Sequence, residues 1–371
     1  MAAPAVREVT SRRDLARFVD LPYRLHRGDP CWTPPLRRDV RRLLSPRVNP
    51  FFQHAEVALL LAERGGRAVG RAAAIENRAH NRFHADRTGF FGFFECEDDP
   101  QAARALLEAC AAWLRARDLQ VLRGPVSPST NDECGLVVEG GEHPPTLLTP
   151  HNPPYYAQLL EGAGLRRARD LYLYWHSTEG LPERLARGAE AVSRRQKVSL
   201  RPLRKDRLDE EVGLVRALYA SAWERNWGFV PLTEAEIDHL AAELRPIVVP
   251  ELFVFVERAG EPVAFAAALP DFNQALRANS GGRIFPGILR VLWAARRIRG
   301  VRILLMGIRP DQRALGLDAL MFHWIWTKAW ELGYAWGEAG WVLEDNAPMN
   351  NALLRLGFER YKTLRLYERA L

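Results

Sequence analysis

The hydrophobic pattern of residues 301–371 predicts strand, turn, helix, strand, helix and strand in succession. Two apolar runs, VRILLMGI at 301–308 and AWGEAGWVL at 335–343, have the length of buried strands. A helical pattern follows each run, and the first one begins in the Gly-bearing turn RPDQRALG. Such a turn directs several backbone N–H groups and the positive end of the helix dipole to one point, which suits a phosphate.

The first half of the chain carries a weaker copy of this pattern. Residues 55–78 predict a hairpin around Gly65-Gly66, and residues 251–269 repeat it with Gly260-Glu261 in the turn. The first half continues with a strand at 87–95, a helix at 100–118, a strand from Val121, a helix at 153–165 and a strand at 166–175. We therefore predict an α/β fold with mixed (α+β) sheets. Its two domains, 1–180 and 181–371, would arise from an internal duplication, each with a central mixed sheet flanked by helices.

The two copies differ where the phosphate turn is predicted. In the first copy the acidic run from Glu95 to Asp99 occupies that position, and no Gly turn is present. Acidic side chains repel phosphate, so we expect the second copy to bind the anionic ligand. The first copy is then expected to bind the other substrate.

Composition narrows the setting without changing the fold. The chain has 371 residues, 47% of them hydrophobic, and four cysteines without a C-x-x-C pair, which is typical of a reduced compartment. His80 and His84 are four residues apart but lack a third ligand, so no metal site is expected. The N-terminus has no apolar signal core and no apolar run reaches membrane-spanning length. We expect a cytoplasmic protein that is peripheral to the inner membrane if it contacts a membrane.

The net charge of +7 is concentrated in one segment. Residues 272–310 contain eight arginines and no acidic residue, and PGILRVLWAARRIRG at 286–300 predicts a basic amphipathic helix. This helix could pack in the core with its Arg side chains reaching solvent, lie on an anionic membrane surface, or dock an acidic partner protein. No recognisable motif favours nucleic acid.

The C-terminal segment resembles the donor-binding half of the GNAT acyltransferase superfamily, whose phosphate turn reads V-x-P-x-x-R-x-x-G-x-G/A. The residues that match this turn are Ile308, Pro310, Arg313 and Gly316, whereas Asp318 stands where the last Gly or Ala belongs. The downstream matches are Asn346, Leu356, Gly357 and Phe358.

This resemblance implies an acyl thioester as co-substrate, either acyl-CoA or the phosphopantetheine of an acidic acyl carrier protein, and no permanently bound cofactor. The donor-binding residues it implies are Met306, Gly307, Ile308, Arg313, Ala314, Leu315, Gly316 and Asn346. A backbone N–H of 306–308 would hold the thioester oxygen. Asp318 is expected to satisfy the N–H groups of the turn and so to oppose binding of the CoA pyrophosphate more than of a single phosphate.

Acyl transfer to an amine needs a group that takes the amine proton and one that protonates the leaving thiolate. Glu338 interrupts an apolar strand and is the first candidate base, unless it lies on a solvent-facing side. Glu344 at the end of that strand is a second candidate, next to residues that could instead cap the following helix. Tyr361 or Tyr367 could be the acid, although Tyr is also a common strand residue.

The loop at 123–156 of the first copy is the candidate acceptor site. Its polar residues could recognise an amine and hydroxyls, or could bond one another in an ordered connection. The candidate acceptor-binding residues are Ser129, Asn131, Asp132, Glu133 and Tyr155.

The two GNAT-like halves, with GFFGFFECEDDP, GPVSPSTNDECGLVVEG and EDNAPMNNALLRLGFERY, resemble a group of bacterial tandem GNAT proteins that includes the bacterial ceramide synthases. This resemblance implies N-acylation of a long-chain amino-alcohol such as sphinganine at the inner membrane surface. The alternatives are acylation of a small amine, amino acid or peptide, and a non-catalytic module that binds acyl thioesters or lipids.

Overall fold

The computed structural model describes residues 3–180, 183–223 and 226–371. Residues 181–182, where the predicted second domain begins, lie outside these ranges. The chain forms two compact units. Unit 1 contains the residues up to Leu171 together with Asn273–Ala294 and Lys362–Leu371. Unit 2 contains Tyr172–Phe272 and Ala295–Tyr361.

The strands have the following bounds in chain order. They are β1 (Ala5–Glu8), β2 (Ala55–Arg64), β3 (Arg67–Asn77), β4 (Thr88–Cys96), β5 (Val121–Gly124), β6 (Val126–Ser127), β7 (Glu133–Cys134), β8 (Leu136–Glu139), β9 (Arg166–Ser177), β10 (Val198–Arg201), β11 (Phe253–Arg258), β12 (Glu261–Pro270), β13 (Gly300–Ile308), β14 (Trp336–Leu343) and β15 (Glu359–Ala370).

The helices are distributed over both units. They are α1 (Arg12–Leu25), α2 (Arg37–Leu43), α3 (Arg78–His84), α4 (Pro100–Arg115), α5 (Tyr156–Gly162), α6 (Glu183–Gln196), α7 (Leu208–Trp223), α8 (Glu234–Leu244), α9 (Asn273–Leu276), α10 (Gly287–Ala295), α11 (Leu317–Glu331) and α12 (Ala347–Arg355).

Unit 1 is built on a sheet with the order β1-β2-β3-β4-β5-β15. The strands from β1 to β4 are antiparallel, β4 and β5 are parallel, and the C-terminal residues of β15 pair antiparallel with β5. Helix α4 buries the predicted apolar face, with Leu106, Leu107, Cys110 and Leu114 fully enclosed. The mixed sheet arises because a helix crosses between β4 and β5, which lets those two strands run in the same direction.

Unit 2 repeats this order with β14-β13-β12-β11-β10 and adds β9 beside β14. The strands from β10 to β13 are antiparallel, and β13 and β14 are parallel. Helix α11 stands between β13 and β14 as α4 stands between β4 and β5. The shared order and direction confirm the predicted α/β fold class and the internal duplication.

The two hairpin turns also correspond, with one correction. Gly65 and Gly66 occupy the first turn with φ of 58° and 76°. In the second hairpin the turn residues are Ala259 and Gly260, with φ of 51° and 82°, and Glu261 already begins β12. The prediction of Gly260-Glu261 was therefore one residue too late, because the left-handed pair of a two-residue turn precedes the strand.

The part of the basic segment from Asn273 to Ala294 belongs to unit 1 and bonds other residues of that unit. The backbone N–H of Arg37 donates to the Gly282 carbonyl (2.9 Å), its Nε donates to the Gly281 carbonyl (2.8 Å), and Asn273 donates to the Thr146 carbonyl (2.7 Å). The helix itself, α10, is shorter than the predicted 286–300 and ends at Ala295. Within the described ranges, no helix combines the length and the apolar character needed to cross a bilayer.

Candidate active site

The turn before α11 has the form of an anion-binding turn. A short 3₁₀ turn at Pro310–Gln312 follows β13, and Ala314 and Gly316 take positive φ of 60° and 81°. Gly316 is the N-cap of α11, and its cap position carries no side-chain hydrogen bond. A Cβ at Gly316 would also lie 3.0 Å from Cγ2 of Val192. The positive φ therefore favours glycine here, and a larger residue would also require Val192 to shift.

The Asp318 carboxylate does not close this turn. Among the described residues it makes no hydrogen bond and no ion pair, although it lies in the first turn of α11. The first N–H groups of a helix have no acceptor within the helix. The expectation that Asp318 would satisfy them is therefore not met, and they stay open to a ligand.

The other predicted residues of the turn have different surroundings. Arg313 donates through Nη2 to the carbonyl of Ala222 at 2.7 Å, which holds the turn against the end of α7. Ala314 is exposed, and Leu315 packs against the core of unit 2. Gly316 and the start of α11 therefore form the part of the turn that remains open.

Strands β13 and β14 separate beside this turn. The two strands pair only from Gly300 with Trp336 to Ile303 with Ala339, while β13 continues to Ile308 and β14 to Leu343. On its other side β13 stays paired with β12 as far as Ile308. The gap between two parallel strands exposes backbone groups of β13 that would otherwise bond β14.

The backbone N–H groups of Met306, Gly307 and Ile308, which are the candidates for binding the thioester oxygen, do not all point to the same side of β13. The N–H of Arg309 donates to the carbonyl of Val263 on β12 at 3.0 Å. Because successive N–H groups of a strand point to opposite sides, that of Gly307 also faces β12. Those of Met306 and Ile308 then face the side from which β14 has departed.

Glu338, Arg302 and Tyr361 form a buried polar cluster in unit 2. Glu338 has no exposed surface, lies opposite Arg302 in the β13–β14 register, and places Oε1 3.0 Å from Arg302 Nε. The Tyr361 hydroxyl donates to Oε2 of Glu338. Arg302 also donates through Nη2 to the Gly340 carbonyl at 3.1 Å. Glu338 is thus not a solvent-facing strand residue.

The Tyr361 hydroxyl is a poor acid in this cluster. Burial, and then the charge and hydrogen bond of Glu338, raise the pKa of Tyr361 well above its ordinary value, so the phenol remains protonated. Tyr361 is half-buried whereas Glu338 is completely enclosed, so Tyr361 is the more accessible of the two residues.

The sequence singles out Glu338 and Tyr361 as candidates, whereas Arg302 is one of the arginines of the basic segment and does not stand out. The same sequence feature marks Arg302 and Glu338. Arg302 and Glu338 each interrupt an apolar strand, and a charged residue in such a position needs a partner of opposite charge.

The remaining candidates of the second copy lie at the end of β14. Glu344 is half-buried in the turn after that strand. Asn346 caps α12, its Oδ1 accepting from the N–H of Met349 at 3.3 Å. The buried Asn350 links this end of β14 to β9, since it donates to the Leu343 carbonyl (3.0 Å) and accepts from the Tyr174 hydroxyl (2.9 Å).

The candidate acceptor residues of the first copy bond to their own surroundings. Ser129 donates to Asp132 at 2.6 Å and accepts from the N–H of Asn131 at 3.1 Å. Glu133 begins the short strand β7, paired with β6. The Tyr155 hydroxyl donates to the Cys96 carbonyl at 2.9 Å. These contacts lie within unit 1, and the assignment of the five residues to an acceptor site stays a prediction.

Comparison with known proteins places this architecture. No family model matches the chain. A protein named bacterial ceramide synthase, from Caulobacter vibrioides (strain NA1000 / CB15N), is 38% identical over 98% of this chain and 96% of its own length. Protein YghO of Escherichia coli (strain K12) is 34% identical over 98% of this chain and 95% of its own length.

Solved structures show the same fold at lower identity. A tandem GNAT protein from the clavulanic acid biosynthesis pathway matches 99% of this chain and 98% of its own, with a TM-score of 0.59 and 14% identity. A GCN5-related N-acetyltransferase from Sphaerobacter thermophilus matches 99% and 95%, with a TM-score of 0.54 and 13% identity. The relative at 38% identity spans nearly the whole of both chains, so this chain belongs to the family of the bacterial ceramide synthase of Caulobacter vibrioides, and it has the tandem GNAT fold.

Proposed function

We propose that the chain transfers a fatty acyl group from acyl-CoA to the amine of a long-chain amino-alcohol, giving a ceramide-type amide. The observation that carries the proposal is the open N-terminus of α11 beside the point where β13 and β14 separate. The name of the Caulobacter vibrioides relative supports the class of acceptor.

The donor would bind along β13. The anionic end of the pantetheine arm would accept from the first N–H groups of α11, where the helix dipole favours negative charge. The arm would then pass between β13 and β14. The thioester oxygen would accept from the N–H of Met306 or Ile308, which stabilises the charge that develops as the carbonyl is attacked.

The buried cluster would move the proton. The amine nitrogen forms the new C–N bond as the C–S bond breaks, so one proton must pass from the amine to the departing thiolate. Tyr361 would accept that proton while giving its own to Glu338, and the reverse movement would protonate the thiolate. In this scheme Glu338 acts as the base through Tyr361, and Arg302 holds the carboxylate in place.

Helix α10 supports a lipid acceptor. Only Gly287 and Val291 of this helix are buried. The large apolar residues near or on it are exposed: Phe285 by 75%, Leu289 by 60%, Leu292 by 56% and Trp293 by 57%. The exposed arginines of the segment are Arg277, Arg283, Arg290, Arg296, Arg297 and Arg299. An exposed apolar face bordered by cations fits an anionic membrane surface, where a long-chain amine would reside.

The activity can be tested directly with sphinganine and palmitoyl-CoA, reading the amide by mass spectrometry, with a palmitoyl carrier protein as a second donor. We expect amide from the CoA donor, and a loss of about 10²–10⁴-fold in kcat for Tyr361→Phe. Tyr367→Phe is the matched control, because its hydroxyl bonds Glu161 in unit 1. Product from short acyl chains and water-soluble amines alone would favour a small-amine acyltransferase. Tight binding without product would identify a non-catalytic module.

Membrane contact is tested by sedimentation with vesicles of phosphatidylglycerol and phosphatidylethanolamine. Changing Arg290, Arg296, Arg297 and Arg299 together to Gln should weaken binding by up to about 4 kcal/mol, since each basic residue near an anionic surface contributes about 1 kcal/mol. High salt should have the same effect on the unaltered protein. Vesicle binding that is equal for both proteins would remove the membrane from the proposal.

A further inference from the structure

Three potential metal ligands that are far apart in sequence meet in unit 1. His26 follows the last residue of α1, Asp29 lies in the next turn, and His151 precedes α5. Each offers one ligand atom, and the three atoms lie within 4.8 Å of one another. Sequence spacing gives no sign of this cluster, because the fold alone brings the second histidine to the first.

One ring nitrogen of His26 is left without a protein partner. The side chain has no exposed surface, and Nε2 lies 2.9 Å from Oε2 of Glu95. That oxygen also accepts from the Tyr156 hydroxyl at 2.8 Å, so the carboxylate is the acceptor and Nε2 is the donor. Nδ1 is buried, and no hydrogen-bond partner for it is found among the described residues.

A buried imidazole whose other nitrogen bonds a carboxylate is the usual arrangement of a metal-binding histidine. The ring of His26 is also stacked on Trp32, with centroids 5.1 Å apart and an angle of 12° between the planes. Stacking and the Glu95 bond together fix the direction of the Nδ1 lone pair.

Asp29 and His151 complete the set. Oδ2 of Asp29 lies 2.7 Å from Nε2 of His151, and Oδ1 accepts from the N–H of Cys31 at 2.8 Å. The Asp29 side chain is 29% exposed and that of His151 6%, so an ion can reach the cluster past Asp29. The two imidazole rings have their centroids 5.9 Å apart.

We propose that His26, Asp29 and His151 bind a divalent transition-metal ion, with Zn²⁺ the best match to two imidazoles and one carboxylate. Zinc bonds of about 2.0–2.1 Å hold tetrahedral ligand atoms about 3.3–3.5 Å apart. Ligand atoms that lie as far as 4.8 Å apart would have to approach by about 1.3–1.5 Å, and Oδ2 of Asp29 and Nε2 of His151, 2.7 Å apart, would have to separate. Three protein ligands leave a fourth position for water. Glu95 acts as the outer carboxylate of His26, although Arg71, whose Nη2 lies 3.7 Å from Oε1 of Glu95, offsets part of its charge.

This site is separate from the proposed acyl-transfer site. None of its residues belongs to the Arg302–Glu338–Tyr361 cluster or to the turn before α11. The ion would join the end of α1 to the segment that leads into α5. Its first consequence is therefore the stability of unit 1, which can be measured without any assay of activity.

The test uses the full-length protein after treatment with a chelator, dialysed against Zn²⁺ or Co²⁺ and analysed for bound metal. We expect about one ion per chain and a higher Tm with the ion than without it. His151→Ala and Asp29→Asn should abolish stoichiometric binding. Glu95→Gln should retain the site but weaken it by about 10–100-fold. His143→Ala is the control for surface histidines, because His143 is 51% exposed.

Cobalt supplies an independent readout, since tetrahedral Co²⁺ with nitrogen ligands absorbs visible light. The proposal is overturned if the folded, chelator-treated protein takes up no metal at micromolar Zn²⁺, which would leave a hydrogen-bonded cluster only. It is overturned equally if His151→Ala and Asp29→Asn, shown by circular dichroism to be folded, bind the ion as the unaltered protein does.

Discussion

The two copies of the strand–helix unit begin their helices in opposite ways. In unit 1, Asp99 caps α4, its Oδ1 accepting from the N–H groups of Gln101 (3.1 Å) and Ala102 (3.2 Å). In unit 2, Gly316 opens α11 with no side-chain cap. The first helix satisfies its own N–H groups with a carboxylate, while the second leaves them for a ligand. The two copies thus share a fold but differ in whether a side chain caps the helix that follows the first parallel strand.

The parallel strand pairs, β4 with β5 and β13 with β14, also differ between the two units. The third residue pair of β13 and β14 in unit 2 is Arg302 with Glu338, and the third pair of β4 and β5 in unit 1 is Phe90 with Arg123. Arg123 bonds Glu368 at 2.8 Å, and that carboxylate is partly exposed. A carboxylate enclosed between strands therefore occurs at this position in the second copy but not in the first. Both contrasts support the proposal that unit 2 binds the donor and carries the chemistry.

The largest effect is expected from giving α11 the side-chain cap that α4 has. In Gly316→Asp, the new carboxylate would occupy the N–H groups of the first turn and repel phosphate. Hydrogen bonds to charged groups contribute about 1.5–3 kcal/mol each, so losing two should reduce kcat/KM for acyl-CoA by about 10²–10⁴-fold. Steady-state kinetics with varied acyl-CoA measures this.

Gly333→Asp controls for backbone strain in that experiment. Gly333 follows the other end of α11 with φ of 84°, close to the 81° of Gly316, and an added Cβ there meets nothing within 4 Å. Equal losses in the two folded variants would show that strain, rather than the lost anion site, explains the effect.

The second contrast is tested by Glu338→Gln. Removing the buried charge should lower kcat by about 100-fold, because the relay loses its base while the Tyr361 hydroxyl remains, and KM for acyl-CoA should stay unchanged. Glu368→Gln removes the corresponding ion pair of unit 1 and should leave kcat intact. A full rate in Glu338→Gln would exclude the relay.

A smaller effect on acyl-CoA binding is expected from changing Asp318 in the first turn of α11. Asp318 has no partner among the described residues, so its charge acts only on what binds nearby. Asp318→Asn should tighten acyl-CoA binding by about 2–5-fold, which corresponds to about 0.5–1 kcal/mol of repulsion at a partly exposed site. Weaker binding measured by calorimetry would mean that the carboxylate helps to hold the donor.

The smallest effect on catalysis is expected from the first copy. Asp99→Ala should lower the free energy of unfolding by about 0.5–2 kcal/mol, as loss of a helix cap does, and leave kcat/KM for acyl-CoA unaltered. Urea denaturation and kinetics of the same preparation measure both quantities. A changed KM would show that α4 takes part in donor binding.

Much of this arrangement could be predicted from the sequence because its signals are local. Apolar runs specified β13 and β14, and the glycine of the turn specified where α11 begins. Glu338 was noticeable as an acid within an apolar strand. The polar turn at Ser129–Asp132 was less informative, since side chains of these types bond their own backbone as readily as a ligand.

What could not be predicted depends on which strands and loops become neighbours. Arg302 became the partner of Glu338 only through the register of two parallel strands. The bond between Tyr361 and Glu338 joins β15 to β14, and periodicity does not reveal such pairing. His26 and His151 meet through tertiary folding alone. Asp318 differed for another reason, because a carboxylate at a helix start can bond the N–H groups or leave them free.

The central claim is that the start of α11, and not the start of α4, binds the anionic end of the donor. Hydrogen–deuterium exchange with and without CoA tests it at both places in one experiment. We predict slower exchange at residues 314–320 and along β13 on adding CoA, and no change at residues 99–104. Protection at 99–104, or no protection at 314–320 under saturating CoA, would contradict the account.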